Sequence, residues 1–156
     1  MKKIRQLILF TFVLLLFMTS IATSASAAEN ASPQIHRFED GSYVVVTIDT
    51  DQPLGKVAFA AGNQIISGTK NYSYYNDSNN LVLVFRVHGT FEYDGITSSA
   101  VGASYSYDIY DSNWSFLNAN ATCSGATATA TGSFVRFLVP KSITASLTCS
   151  PNGILS

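Results

Sequence analysis

Few residues in this chain have the type and spacing for chemistry. The two histidines, His36 and His88, the carboxylate pairs Asp49-x-Asp51 and Glu92-x-Asp94, the oxygen-rich Asp77-x-Asn79, and the two cysteines, Cys123 and Cys149, are the groups to weigh. A serine hydrolase requires a nucleophile on a sharp turn and an orienting base, and no Gly-x-Ser-x-Gly occurs. His88 alternates along a strand beside Arg86 and Glu92, which suits a surface histidine. Glu92 and Asp94 are the groups a glycosidase uses, but such a pair works only across a cleft, at a separation of ~5 to 9.5 Å; solvated turn charges account for them. Asp49-x-Asp51 and Asp77-x-Asn79 offer oxygen ligands of the kind Ca²⁺ accepts, yet neither has the glycine and distal glutamate of an EF-hand loop. Neither histidine stands at a zinc-ligand spacing from the cysteines. No metal, no cofactor and no catalytic residue is assigned, and the chain reads as a non-enzyme.

The cysteines are better explained by where the chain goes. Lys2, Lys3 and Arg5 precede an apolar stretch from Leu7 to Met18, in which only Thr11 is polar, and Ala25-Ser26-Ala27 follows. That is the pattern of a secretory signal peptide over residues 1–27, with cleavage after Ala27 or Ala28, and the apolar run is too short to span ~30 Å of hydrocarbon as a helix. The expected product is one secreted domain over residues 28–156, extracellular and without a membrane anchor. In an oxidising compartment an even cysteine count reads first as a disulfide, Cys123–Cys149, which would contribute ~3 to 3.5 kcal/mol on chain-entropy grounds; two buried free thiols are the alternative. Cleavage leaves six Lys and Arg against ten Asp and Glu, a formal charge of −4. A mildly acidic chain without a run of cations is a poor nucleic-acid ligand and does not dock electrostatically on anionic membrane.

The elements that position these groups are strands. Runs at Tyr43–Asp49, Lys56–Ala60, Thr69–Tyr75, Leu81–Tyr93, Val101–Tyr110, Trp114–Cys123, Ala126–Val139 and Ile143–Cys149 are separated by Asn, Asp, Gly, Pro and Ser turns. Leu81–Phe85 is apolar on both parities, as in a central strand covered on both faces. Val101, Ala103, Tyr105, Tyr107 and Ile109 share one parity and predict a buried face. A turn at Pro140-Lys141-Ser142 would set Val139 opposite Ile143, Phe137 opposite Ala145 and Val135 opposite Leu147, all inward. The small residues Ala126, Ala128 and Ala130 have the opposite parity, so a bulge is expected at Gly132. About eight strands and no helix predict a single antiparallel β-sandwich, Ig-like or of Greek-key type.

Two surface features remain. Thr127, Thr129 and Thr131 line one strand like a row of an ice-binding face, but one strand is not an array, and a polar outer face is the preferred account. Aromatic rings are abundant, and Tyr110 and Trp114, flanking Asp111-Ser112-Asn113, are the two expected to be exposed for binding.

The ordered set Phe38-Glu39-Asp40-Gly41-Ser42-Tyr43, Tyr74-Tyr75-Asn76, Gly89-Thr90-Phe91-Glu92-Tyr93-Asp94-Gly95, Trp114, Gly125 to Gly132 and Leu147-Thr148-Cys149-Ser150-Pro151-Asn152-Gly153-Ile154-Leu155-Ser156 resembles a group of small uncharacterised proteins secreted by Gram-positive bacteria. The resemblance covers most of residues 28–156 and implies secretion and a β-fold. It transfers no site, because the group has no assigned activity. In those relatives the first cysteine follows the Phe-x-Tyr-x-Gly segment, where this chain has Ser98-Ser99. The expectation is a secreted, non-catalytic β-domain that binds cell-envelope glycan or an extracellular protein; the alternative is an antimicrobial or enzyme-inhibitory effector.

Overall fold

A computed structural model of the chain describes residues 32–51 and 64–156. Eight strands and no helix lie among them: β1 (Gln34–Arg37), β2 (Tyr43–Asp51), β3 (Gln64–Tyr75), β4 (Leu81–Tyr93), β5 (Ser98–Ile109), β6 (Trp114–Ser124), β7 (Thr127–Arg136) and β8 (Val139–Thr148). They form two antiparallel sheets, β1-β2-β3-β4-β5 and β6-β7-β8, packed as a sandwich. Every strand pairs with its sequence neighbour within its sheet, so the connectivity is a meander and the Greek-key alternative is not adopted. Lys56–Ala60 lies outside the described residues; β1, a short exposed edge strand, has no counterpart among the expected runs.

The strand β4 is the spine, with Val82, Leu83, Val84, Phe85, Val87 and Phe91 all buried. Its neighbour β5 follows the predicted parity except at Val101. Thr90 pairs with Gly102 and Phe91 with Ala100, so Val101 is the extra residue of a bulge and turns outward. Facing them, β6, β7 and β8 present small residues in rows: Ala119–Gly132–Ile143, Ala121–Ala130–Ala145 and Cys123–Ala128–Leu147. Large rings on one sheet meet small residues on the other. A Cβ at Gly132 would lie 2.7 Å from the Phe85 ring, so the absent side chain is what admits that ring. Tyr107 stacks on Phe116 with centroids 4.2 Å apart, and Phe116 and Phe85 each meet Phe134 edge-on, which joins the sheets through an aromatic cluster.

The last hairpin corrects the predicted register. Arg136 pairs with Val139, so Phe137-Leu138 is the two-residue loop and Pro140 lies inside β8. Phe134, Gly132, Ala130 and Ala128 therefore share the inward face of β7, and Val135 and Phe137 do not; Val139 keeps the inward parity of Ile143, Ala145 and Leu147 but lies exposed at the hairpin end. Gly132 carries no bulge; the irregularity is in β6, where Leu117 is the extra residue between Phe116 and Asn118.

The C-terminal segment folds back on β8. Thr148 and Ser156 exchange two backbone hydrogen bonds of 2.9 Å, and Leu155 fills the space left by Gly68, where a Cβ would stand 2.4 Å from its Cδ1. The outer edge of β8 is thereby largely closed: Ser156 pairs with Thr148, the Tyr72 hydroxyl bonds the Ser146 backbone, and Pro140 offers no N–H.

Candidate functional site

The cysteines do not meet. Cys123 opposes Ala128 on β7, while the amide of Cys149 bonds the Ala126 carbonyl from the other side of β7. Two strand spacings across and two residues along put their Cα atoms about 12 Å apart, well beyond the ~7 Å limit for a bridge. The disulfide expected from compartment and parity is absent; Cys123 is an exposed free thiol and Cys149 a buried one. Both have the inward parity that the sequence predicts, but β7 stands between them.

One nucleophile-and-base contact does form. His88 Nε2 lies 2.9 Å from the Ser106 hydroxyl, and its Nδ1 lies 2.9 Å from the Thr69 hydroxyl. The group sits on the open outer face of the larger sheet, where Thr69, His88 and Ser104 are cross-strand partners. Thr69 carries no charge to stabilise an imidazolium, and among the described residues the contact is part of a cross-strand ladder.

The carboxylates serve turns. Asp94 accepts the Ile96 and Thr97 amides at 2.8 and 2.6 Å, and these bonds, that of Thr97 first, hold its carboxyl below the usual range. The cavity between Glu92, Tyr93, Asp94, Thr97 and Ser99 holds about 90 Å³, against ~300 Å³ or more for ordinary small-molecule sites. Asp49 accepts from the Asn71 amide at 2.8 Å. Among the described residues no group of three or more His, Cys, Asp or Glu side chains is placed to hold a metal ion.

The Thr-x-Thr-x-Thr row belongs to an array after all. On the outer face of the smaller sheet the rows are Ser124–Thr127–Thr148, Thr122–Thr129–Ser146, Asn120–Thr131–Thr144 and Asn118–Ser133–Ser142, with no charge among them. Hydroxyl pairs Thr127–Thr148, Thr129–Ser146 and Thr131–Thr144 lie 3.1 to 3.2 Å apart, so these groups satisfy one another across β7 and β8.

One end of the sandwich, where the β1–β2, β3–β4, β5–β6 and β7–β8 turns lie together, carries one group of exposed apolar side chains; Ile65, Ile96 and Ile154 are exposed at the other end. Phe38 contacts Tyr74 (6.4 Å), Tyr74 meets Trp114 edge-on (5.7 Å), and Trp114 pairs with Arg136, which ties the four turns to one aromatic column. Asp40 stands in its own turn, accepting the Ser42 hydroxyl at 2.6 Å; that bond first, the Ser42 amide next and nearby Lys141 after them lower its pKa. Trp114, expected to be exposed, is 6% exposed, because inward parity at the start of β6 carries it under the turns, and its indole N–H has no acceptor among the described residues. Tyr110, its expected companion, is 59% exposed on this surface. With it stand Phe38 at 51%, Phe137 at 70%, Leu138 at 95% and Val139 at 56%.

The turn between β7 and β8 is the unusual part. Phe137 and Leu138 have φ of 48° and 67°, as a two-residue hairpin loop with right-handed twist demands, and Asn or Gly are the residues that adopt this backbone easily. The Arg136 guanidinium lies over the Phe137 ring at 5.2 Å. Sequence reasoning missed these residues, because an apolar Phe-Leu-Val run beside Pro140 reads as a buried strand continuing to a proline turn.

No protein-family model, no curated protein and no solved structure matches this sequence at a significant level. What the geometry defines is an all-β sandwich with an apolar, four-turn end.

Proposed function

We propose that this protein is an exported, extracellular, non-catalytic binding domain whose recognition surface is the four-turn end, engaging envelope glycan or an extracellular protein. The β7–β8 turn carries the reading. Two bulky residues occupy left-handed backbone while their side chains are 70% and 95% exposed, so neither local conformation nor core packing accounts for their presence. Tyr110 and Phe38 extend the same surface with flat rings suited to sugars or to protein. The export pattern and the resemblance to small secreted proteins of Gram-positive bacteria place the proposed site of action outside the cell.

The test is retention of the protein on purified cell walls, insoluble polysaccharides and immobilised extracellular proteins, beside Tyr110→Ala and the double variant Phe137→Asn, Leu138→Gly, with Thr131→Ala on the opposite sheet face as control. Retention lost in the turn variants and kept in the control supports the reading. Equal retention of all four moves the site elsewhere. A second reading, an inhibitory effector, is favoured by the narrow convex shape of the turn, which fits a partner's cleft; it requires growth or enzyme inhibition that the same double variant abolishes.

A further inference from the structure

The four-turn end has the side-chain types of a surface that meets lipid. Its β7–β8 hairpin ends in consecutive exposed aromatic and aliphatic residues: Phe137 and Leu138 in the two-residue turn and Val139 at the start of β8. Directly behind them are two long cations, Arg136, folded along the Phe137 ring, and Lys141, which faces Phe134 across the hairpin. On neighbouring turns of the same end the rings of Tyr110 and Phe38 are exposed. An apolar tip, cationic stems able to extend toward phosphate and exposed aromatic rings are side chains that a bilayer's acyl boundary and headgroup region accommodate together.

Two observations choose lipid over a protein pocket. Leu and Val, which make up most of the tip, are under-represented among the side chains that dominate protein interfaces, where Trp, Tyr and Arg prevail. The turn is also convex, and a fluid acyl region closes around a convex tip without a matching concavity.

Charge then specifies the kind of lipid surface. At this end Arg37, Arg136 and Lys141 are offset by Glu39, Asp40, Asp77 and Asp111, so no net attraction to anionic headgroups exists. From this we propose that the β7–β8 turn inserts into the interfacial layer of a lipid bilayer, driven by burial of Phe137, Leu138 and Val139 and independent of anionic lipid. The proposal rests on the reading of the four-turn end as the recognition surface and names what its tip contacts. A few apolar side chains give reversible attachment, comparable to a single acyl chain, and do not anchor the protein.

The experiment is co-sedimentation of the protein with vesicles of phosphatidylcholine alone and of phosphatidylcholine mixed with phosphatidylglycerol, at low and high salt. The expected result is partitioning onto both vesicle types with little salt dependence. Leu138→Gln, and separately Phe137→Asn with Leu138→Gly, should weaken it by roughly tenfold or more, since each apolar side chain withdrawn from insertion removes about that factor. Lys141→Gln should leave it within a small factor. No sedimentation of the wild type with either vesicle, sedimentation only with anionic vesicles that salt reverses, or equal sedimentation of the turn variants would each overturn the proposal. Retention on cell walls or immobilised proteins that the turn variants lose, without vesicle binding, overturns the lipid assignment and leaves the recognition surface standing.

Discussion

Replacing Phe137 by Asn and Leu138 by Gly should make the protein more stable while removing its most exposed apolar residues. A bulky L-residue in left-handed backbone costs roughly 1–2 kcal/mol; glycine at position 138 recovers nearly all of that, and asparagine at 137 a part. Little burial is lost, because both side chains already face solvent. Against the gain stand the Arg136–Phe137 contact, worth ~0.5–1 kcal/mol at an exposed site, and the freedom glycine adds to the unfolded chain, ~0.5–1 kcal/mol. The balance is a gain of about 1 kcal/mol, or roughly 4 °C in Tm for a domain of this size. Urea unfolding should show a higher midpoint with an unchanged slope. Leu138→Gly alone should supply most of the effect. A lower midpoint in the double variant would refute the reasoning, since it would mean that the two side chains hold the hairpin together instead of straining it.

Trp114→Ala should cost about 3–5 kcal/mol, as for an aromatic residue removed from a core, whereas Trp114→Phe keeps a ring against Tyr74, removes the unpaired indole N–H and should cost far less; equal losses in denaturant unfolding would mean that the N–H is satisfied. In the native protein a thiol reagent should modify Cys123 and spare Cys149 until denaturant is added; a native protein without reactive thiols and with the mass of a bridged form would contradict the strand order. Burial holds the Cys149 thiol above its ordinary value of 9.0, so as pH rises past that value the unfolded chain loses a proton that the folded chain keeps. Stability therefore falls with rising pH in this range, and Cys149→Ala should flatten the decline between about pH 8 and 10; an unchanged slope would assign the decline to other groups.

The fold class was legible because burial leaves a parity signature. Leu81–Phe85 of β4 reads as covered on both faces, and Val82 to Phe85 are buried; β5 reads as one buried row, and its parity holds as far as Val101, although Tyr105 and Tyr107 stay 37% exposed. Failures cluster where one residue shifts parity. Leu117 and Val101 are extra residues of bulges, and nothing in a single strand's composition marks either, since a bulge is defined by the partner strand's count. The final hairpin failed for a different reason. Pro140-Lys141-Ser142 is a good turn sequence and Phe137-Leu138 a poor one, so local chemistry pointed to the wrong loop. Tertiary fit decided the matter: only the register that sums Ala130 with Ala145 and Gly132 with Ile143 presents a face small enough for Phe85 to enter.

That same register accounts for part of what was hidden at the candidate site. Placing the loop three residues earlier turns Phe137 out of the core into the loop and leaves Val139 at the exposed hairpin end. The cysteines have another cause, the strand order that sets β7 between β6 and β8, while the threonine row has the polar outer face expected of it, widened by its neighbours into a hydroxyl array. Trp114 adds the converse case: a tryptophan beside a turn looks exposed in sequence, yet the strand it begins has inward parity from its first residue. Ser106, His88 and Thr69 are far apart in the chain and become neighbours only through strand pairing. Pairing likewise gathers the four turns at one end, so a surface built from Phe38, Tyr110 and the β7–β8 loop has no linear signature at all. The residue that could have announced it is Leu138. A branched aliphatic side chain at the second position of a two-residue loop opposes local preference and is buried by nothing, and such a conflict between levels is where a functional constraint is to be sought.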